Sequence, residues 1–279
     1  MSKPRTFLTC VTVAVVSLVT TVGAVSFRAT ISSIKLQARP GQVLTRQFQL
    51  ALDNDQPRTH FKAHIEDWWR SEDGKQSFYA APGTLKHSCG EWIAVNPVES
   101  AVDAGQTLTV RLTVTVSTDA EPGGHWCVLT LDEIPDPLAQ PDGVGVKFVA
   151  SVSTGIFVDI DPVERAAKIT DVVVSPSVAS VKLRNEGNTP IGVEGRFEFV
   201  RPGDSHPYAV AAIPRAPLLT EPIKTGVFTA DLPDASVLPS GRYIVRAIVD
   251  IGVDHYIGVE RELDLKREVP ATADARPNR

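Results

Sequence analysis

The stretch Thr107–Val116, TLTVRLTVTV, decides the fold class. Leu108, Val110, Leu112, Val114 and Val116 alternate with Thr107, Thr109, Arg111, Thr113 and Thr115. One face of the segment is therefore apolar and the other polar, the period-2 signature of a half-buried strand. Working outward, similar short runs lie on both sides, separated by turn residues: Ile31–Leu36, Gln42–Leu52, His60–Trp68, Trp92–Val95, His125–Ile134 and Val144–Ile160. Asp161-Pro162 closes this series, and a charged stretch with Glu164, Arg165 and Lys168 follows. A second series then runs Ile169–Val174, Ser180–Arg184, Ile191–Val200, Tyr208–Ile213, Gly226–Ala230, Tyr243–Ile251 and His255–Leu265. No comparable stretch carries a helical period with caps.

Two series of about seven strands, each spread over ~100–130 residues, fit two immunoglobulin-like β-sandwiches in tandem, an all-β fold. The 21 prolines and 19 glycines supply its turns. Leu238-Pro239-Ser240-Gly241-Arg242-Tyr243 has the form of a corner in which a Tyr hydroxyl returns to the backbone. Pro122-Gly123-Gly124-His125-Trp126 occupies the matching place in the first series, with Trp in the Tyr role. Asn185-Glu186-Gly187-Asn188 reads as a turn of residues that tolerate left-handed backbone. The expected organisation is residues 1–24 as a signal peptide, 25–161 and 162–266 as the two domains, and 267–279 as a flexible tail. The polar junction near Asp161 limits the core that the two domains are expected to share.

The 279 residues are 43% hydrophobic and 22% charged, enough apolar side chain for a sizeable core. The net charge of −5 argues against a nucleic-acid binder, which needs a basic excess. At the N-terminus, Lys3 and Arg5 precede an uncharged apolar run from Phe7 to Val22, and Val22-Gly23-Ala24 has the spacing of a cleavage site. The alternative is an uncleaved anchor. No later stretch has ~18 uncharged apolar residues, so the mature chain is not expected to be an integral membrane protein. Cleavage removes two of the 28 basic residues and none of the 33 acidic ones, for a mature charge of −7. It also removes Cys10 and leaves Cys89 and Cys127, an even pair that in an exported chain reads as one disulfide. Closing so long a loop stabilises by roughly 3–4 kcal/mol in the chain-entropy model. Two buried thiols are the alternative, and a Cys2His2 metal set with His87 and His125 is a third.

Other chemistry is weakly supported. His60 and His64 share a strand face, but two imidazoles four residues apart on a strand are ~13 Å apart, too far for one ion. Ser, His and Asp residues occur without a Gly-x-Ser-x-Gly elbow, and no Gly-rich phosphate loop precedes a helix. Trp68, Trp69, Trp92 and Trp126 are candidates for a sugar platform or for core. The sequence thus nominates no catalytic, cofactor-binding or metal residues.

Several segments together resemble the periplasmic pilus-assembly chaperones of the PapD-like family. Leu52-Asp53-Asn54-Asp55, Pro57 and Ala63-His64-Ile65-Glu66-Asp67 resemble that family's second and third strands. Val128-Leu129-Thr130-Leu131-Asp132-Glu133-Ile134-Pro135 resembles its sixth strand, which ends in a Leu-x-x-Ile-Pro pattern, and Val144–Ile160 fits its long seventh. The resemblance implies capture of another exported polypeptide, a pilin-like or surface subunit, by β-strand addition. The partner-binding strand would present Val144, Val146, Phe148, Ala150 and Val152, and its edge would be exposed over Val144–Phe157. The family holds the subunit's terminal carboxylate with two basic cleft residues. Lys35 falls near the first; the second would fall around Gly155-Ile156, where this sequence has neither Lys nor Arg.

These readings converge on a non-enzymatic periplasmic, secreted or surface protein without cofactor. The rival readings are a structural or adhesive surface protein with spacer domains, and a carbohydrate-binding accessory protein. N-terminal sequencing of exported material should find a mature chain starting near Val25; retention of residues 1–24 would favour the anchor.

Overall fold

The computed structural model describes residues 27–29, 33–79, 81–134 and 149–267. The expected signal peptide and all of the expected tail beyond Arg267 lie outside the described residues, as do Val144, Val146 and Phe148. The first strand series forms β1 (Phe27–Ala29), β2 (Ser33–Ala38), β3 (Val43–Leu52), β4 (Thr59–Arg70), β5 (Gln76–Tyr79), β6 (Ile93–Asn96), β7 (Glu99–Val102), β8 (Thr107–Thr115), β9 (Gly123–Ile134) and β10 (Ser151–Ile160). One sheet has the order β1-β3-β8-β6 and the facing sheet β2-β10-β9-β4-β5, with β7 also on β4. Strand β10 pairs antiparallel with β9 and parallel with β2.

The alternation of residues 107–116 packs as its pattern dictates. Val110, Leu112, Val114 and Val116 are buried, against Phe48 and Leu50 of β3 and Leu129, Ile156 and Val158 of the facing sheet. The polar threonines and Arg111 point away. Sequence reasoning misses β1, β5 and β7, the shortest strands, where period-2 alternation has too few residues to register.

The second series forms β11 (Ala167–Val174), β12 (Val178–Asn185), β13 (Ile191–Val200), β14 (Ala209–Leu218), β15 (Thr225–Asp231), β16 (Gly241–Asp250) and β17 (Ile257–Leu265). They make a three-stranded sheet β11-β12-β15 and a four-stranded sheet β14-β13-β16-β17 around a separate core that includes Val181, Leu183, Phe197, Phe199 and Val245. The expected tyrosine corner is present: the buried Tyr243 hydroxyl donates to the Pro239 carbonyl at 3.0 Å. At the matching place, the Trp126 indole N–H donates to the Trp68 carbonyl at 2.9 Å.

The turn at 185–188 differs from its sequence reading. None of its residues has a left-handed backbone, and its amide side chains serve a different purpose. Asn188 accepts from the Glu164 N–H at 2.7 Å and donates to the Pro162 carbonyl at 3.0 Å. Asn185 donates to the carbonyls of Thr189 and Leu218. The turn is thereby tied to the junction between the sandwiches. Gly123 and Gly124 of β9 abut it, and the Gly124 N–H donates to the Asn188 carbonyl at 2.9 Å. A Cβ at Gly123, whose φ is +121°, would stand 2.6 Å from the Asn188 carbonyl oxygen, and one at Gly124 would stand 2.2 Å from the Thr189 hydroxyl. Side chains at these two positions would force the sandwiches apart.

The junction is also less polar than its sequence implies. Leu219, the residue after β14, is buried in a small cluster with Trp68, Trp126 and Val128 of the first sandwich. A strap adds polar contacts. The turn between β4 and β5 reaches the other sandwich, where the Glu72 carbonyl accepts from the Val227 N–H at 2.8 Å. The Glu72 carboxylate pairs with Lys182 and accepts from the Thr225 hydroxyl at 3.0 Å, and Arg70 donates to the Pro217 carbonyl at 3.3 Å. The hydrogen bond from Lys182, then that from Thr225, holds the Glu72 carboxyl below the usual carboxylate range.

Because the folded state depresses this pKa, its stabilisation is present above the ordinary carboxylate value and is lost as pH falls through the folded one. Glu72→Gln should therefore lower the thermal midpoint at pH 7. The gap to the parent should close on acidification below about pH 4.5, the ordinary value. A pH-independent gap would mean that the charge of Glu72 plays no part in the docking.

Candidate functional site

The six-stranded sheet of the first sandwich carries five residues of interest on the face turned away from its own core. Lys35 of β2 lies opposite Phe157 of β10, which lies opposite Trp126 of β9. Beyond the last β4–β9 pair, Glu66 and Val128, the Trp126 backbone pairs with Ser88, and Trp68 of β4 meets Trp126 through its carbonyl, which accepts the Trp126 indole N–H at 2.9 Å. Phe78 of β5 lies opposite Trp68. The resulting row is Lys35, Phe157, Trp126, Trp68, Phe78. Its centre is covered: Trp126 and Trp68 are 1% and 4% exposed beneath Leu219. Trp68 meets Phe157 edge to face at a centroid distance of 6.1 Å.

The two ends of the row open into a cleft of about 620 Å³ between the sandwiches. Its floor includes Ser153, Gly155, Phe157 and Val128. Lys35 and Phe78 stand at its sides, and the opposite wall comes from the second sandwich, at Pro190–Gly192 and Arg215–Pro217. Three cations line it, and two are already neutralised: Arg165 pairs with Asp159, and Arg215 with Glu194 at 2.7 Å. Lys35 is exposed and has no carboxylate partner among the described residues. A second recess of about 550 Å³, beside His87, is lined by Arg184, Glu186, Glu221 and Lys224 and by no aliphatic or large aromatic hydrocarbon side chain. The first cleft is thus the better site for a ligand with both apolar and polar groups.

The structure distributes the sequence-nominated residues unevenly. Lys35 is in the cleft. Ala150 precedes β10 and is half-buried; its N–H donates to the Glu133 carboxylate at 3.2 Å. Val152 is half-buried opposite Leu131, on the same face as the core residues Ile156 and Val158. The β10 edge is not exposed as far as Phe157: its ladder to β9 starts at Ser151, and its ladder to β2 covers Gly155–Ile160. Parallel pairing by β2, which a linear sequence does not announce, is the reason.

Arg165, Arg215 and Phe78 were not foreseen as cleft residues. For Phe78 a signal was available, because Asp73-Gly74 is a hairpin turn dipeptide that implies a strand at Gln76–Tyr79. The four tryptophans form no exposed platform. Trp68 and Trp126 are buried, Trp92 packs against His125 at a centroid distance of 4.6 Å, and Trp69 stacks on Tyr79 at 4.0 Å.

Cys89 and Cys127 meet inside the first core as two thiols, both with 0% exposure. Burial, and then the neighbouring Cys89, pushes the Cys127 thiol well above the usual range. Among the described residues, no group of three His, Cys, Asp or Glu side chains is placed to hold a metal, so His87 and His125 do not complete a set with the cysteines. Their rings instead contact each other at 5.8 Å. Burial, followed by the charges of His125 and Lys86, depresses the His87 pKa.

No protein-family model matches the chain, and neither does any curated protein sequence. Solved structures do. A chain of the chaperone–tip adhesin complex of CFA/I fimbriae biogenesis is similar at TM-score 0.48 and 11% identity, covering 85% of this chain and 98% of that one. The class 5 fimbriae chaperone CfaA is similar at TM-score 0.47 and 12% identity, covering 85% and 99%. The CupB2 chaperone of Pseudomonas aeruginosa is similar at 0.45 and 12%, covering 85% and 100%. Two of the three are named as chaperones and the other as a chaperone complex.

The adjacency of the two thiols sets up a direct measurement. We propose that export oxidises the pair that the structure holds as two thiols, so intact mass of freshly purified exported protein, alkylated with and without prior reduction, should show Cys89 and Cys127 joined. Two free thiols in native material would establish the reduced pair instead.

Proposed function

We propose that this protein is an exported, non-enzymatic binding or chaperone-like protein, with residues 25–161 and 162–266 as its two domains. It captures another exported polypeptide, a pilin-like or surface subunit, in the periplasm or at the cell surface. The observation that carries this reading is the cleft between the sandwiches. It has a mixed polar and apolar lining, Lys35 without a carboxylate partner among the described residues, and β10 in its floor. Backbone hydrogen bonds along β10 before Gly155 give affinity, and alternate side chains give specificity. Among the described residues, Val152 shares the β10 face that carries Ile156 and Val158. A partner strand laid there would extend the first core. No helix among the described residues is long and apolar enough to cross a membrane.

A spacer role gives no account of an open cleft with an unpaired lysine, and the buried or stacked tryptophans do not favour a sugar site.

Capture should depend more on apolar contact than on charge. Burying a Phe side chain is worth ~1.5–3 kcal/mol, whereas an exposed ammonium–carboxylate contact is worth ~0–1 kcal/mol. In pull-downs of co-exported proteins from the host, Phe148→Asp should reduce recovery of the partner far more than Lys35→Ala. The reverse order would reject strand addition as the main source of affinity.

A further inference from the structure

We infer that Thr130 and Asp132 of β9 are positioning residues for capture: by holding the side chains of Ser153 and Ser151, they fix the opening stretch of β10, to which a partner strand is added. This inference rests on the proposed capture of a polypeptide by strand addition.

The outer face of the six-stranded sheet changes character along β9. Trp126 and Val128 pack with Leu219, and the next residues on that face are Thr130 and Asp132. Thr130 is 6% exposed, and a buried hydroxyl needs partners. It donates to the Glu66 carboxylate at 3.3 Å and lies 3.1 Å from the Ser153 hydroxyl. A hydroxyl has one proton to give. With that of Thr130 committed to Glu66, Ser153 is the donor in the second contact. Two residues on, the Asp132 carboxylate accepts from the Ser151 hydroxyl at 2.6 Å. His64 stands between the two carboxylates, with Nε2 3.3 Å from Glu66 and Nδ1 3.4 Å from Asp132. These contacts form one chain, Ser153–Thr130–Glu66–His64–Asp132–Ser151, which runs from β10 across β9 to β4 and back.

Both ends of this chain lie where β10 needs support. The ladder of β10 to β9 begins at Ser151, but its ladder to β2 begins only at Gly155. Over Ser151–Ser153 the strand is therefore laddered on one side alone among the described residues. A stretch paired on one side opens more readily than one paired on both. The Ala150 N–H adds a tie to the Glu133 carboxylate at 3.2 Å. The two serine bonds use side chains on the outer face, so they hold the stretch without occupying its backbone groups. They also leave Val152 on the opposite, core-side face. Ser153 lines the cleft as well, so the network borders the proposed site. A strand kept extended before its partner arrives has less order left to gain on binding, which is the advantage of preorganisation.

The test uses the full exported chain. Thr130→Val keeps the shape and removes the hydroxyl, whereas Thr130→Ser keeps the hydroxyl. Asp132→Ala removes the acceptor for Ser151, whereas the amide oxygen of Asp132→Asn still accepts. Hydrogen exchange of the free protein reads the brace. The double variant Thr130→Val/Asp132→Ala should speed exchange over residues 150–154 at least fivefold and leave β13 and β16 within twofold of the parent. Recovery of the co-exported polypeptides that the parent retains reads capture. It should fall at least threefold in that double variant and return to within twofold of the parent in Thr130→Ser/Asp132→Asn. If the first double variant loosens β13 and β16 too, the volume-preserving Thr130→Val alone decides by the same two readings. Unchanged exchange over 150–154, or faster exchange with undiminished recovery, overturns the positioning role and leaves strand addition standing. A parent that retains no exported polypeptide overturns both.

Discussion

Strand β9 has no solvent-facing side from Gly123 to Leu131. On one face Cys127, Leu129 and Leu131 fill the first core; on the other, Trp126 and Val128 are buried in the cluster that Leu219 completes. An antiparallel strand in a sandwich ordinarily keeps one face wet. Burial on both faces obliges the second sandwich to stay docked, since its departure would expose two large aromatic rings. The two glycines that open β9 allow the backbone of the second sandwich to approach at the same place. The orientation of the two sandwiches, and with it the cleft, follows from this strand.

The strap works from the opposite end of the same sheet. Glu72 and Arg70 make polar contacts that are partly exposed and individually small, as surface pairs are. Their value is geometric, because they fix the β4–β5 hairpin and so the far side of the cleft. The apolar cluster supplies the cohesion and the polar strap supplies the register. Neither is visible as a functional motif in the chain, since each joins the two sandwiches through residues far apart in sequence.

The cleft itself has an asymmetry that follows from charge pairing. The protein is acidic overall, yet three cations line this one surface. Two of them hold local carboxylates and contribute to the walls. The third, Lys35, projects from a strand whose Ile34 and Leu36 are buried on either side of it. Alternation alone places the ammonium in the cleft, so its exposure is a direct consequence of the strand's period.

The sequence by itself determined the all-β class, most strands to within a few residues and the tyrosine corner at Tyr243. These depend on period-2 patterning and on turn chemistry, which are local and written in consecutive residues. Only the tertiary structure decided that Asn185–Asn188 is a docking turn, that β2 covers β10 from Gly155 onward, that Leu219 sits over Trp68 and Trp126, and that Phe78, Arg165 and Arg215 share a cleft with Lys35. Those facts are set by which strands become neighbours. Strand pairing joins segments far apart in the chain through backbone groups that every residue carries, so side-chain identity leaves little trace of it.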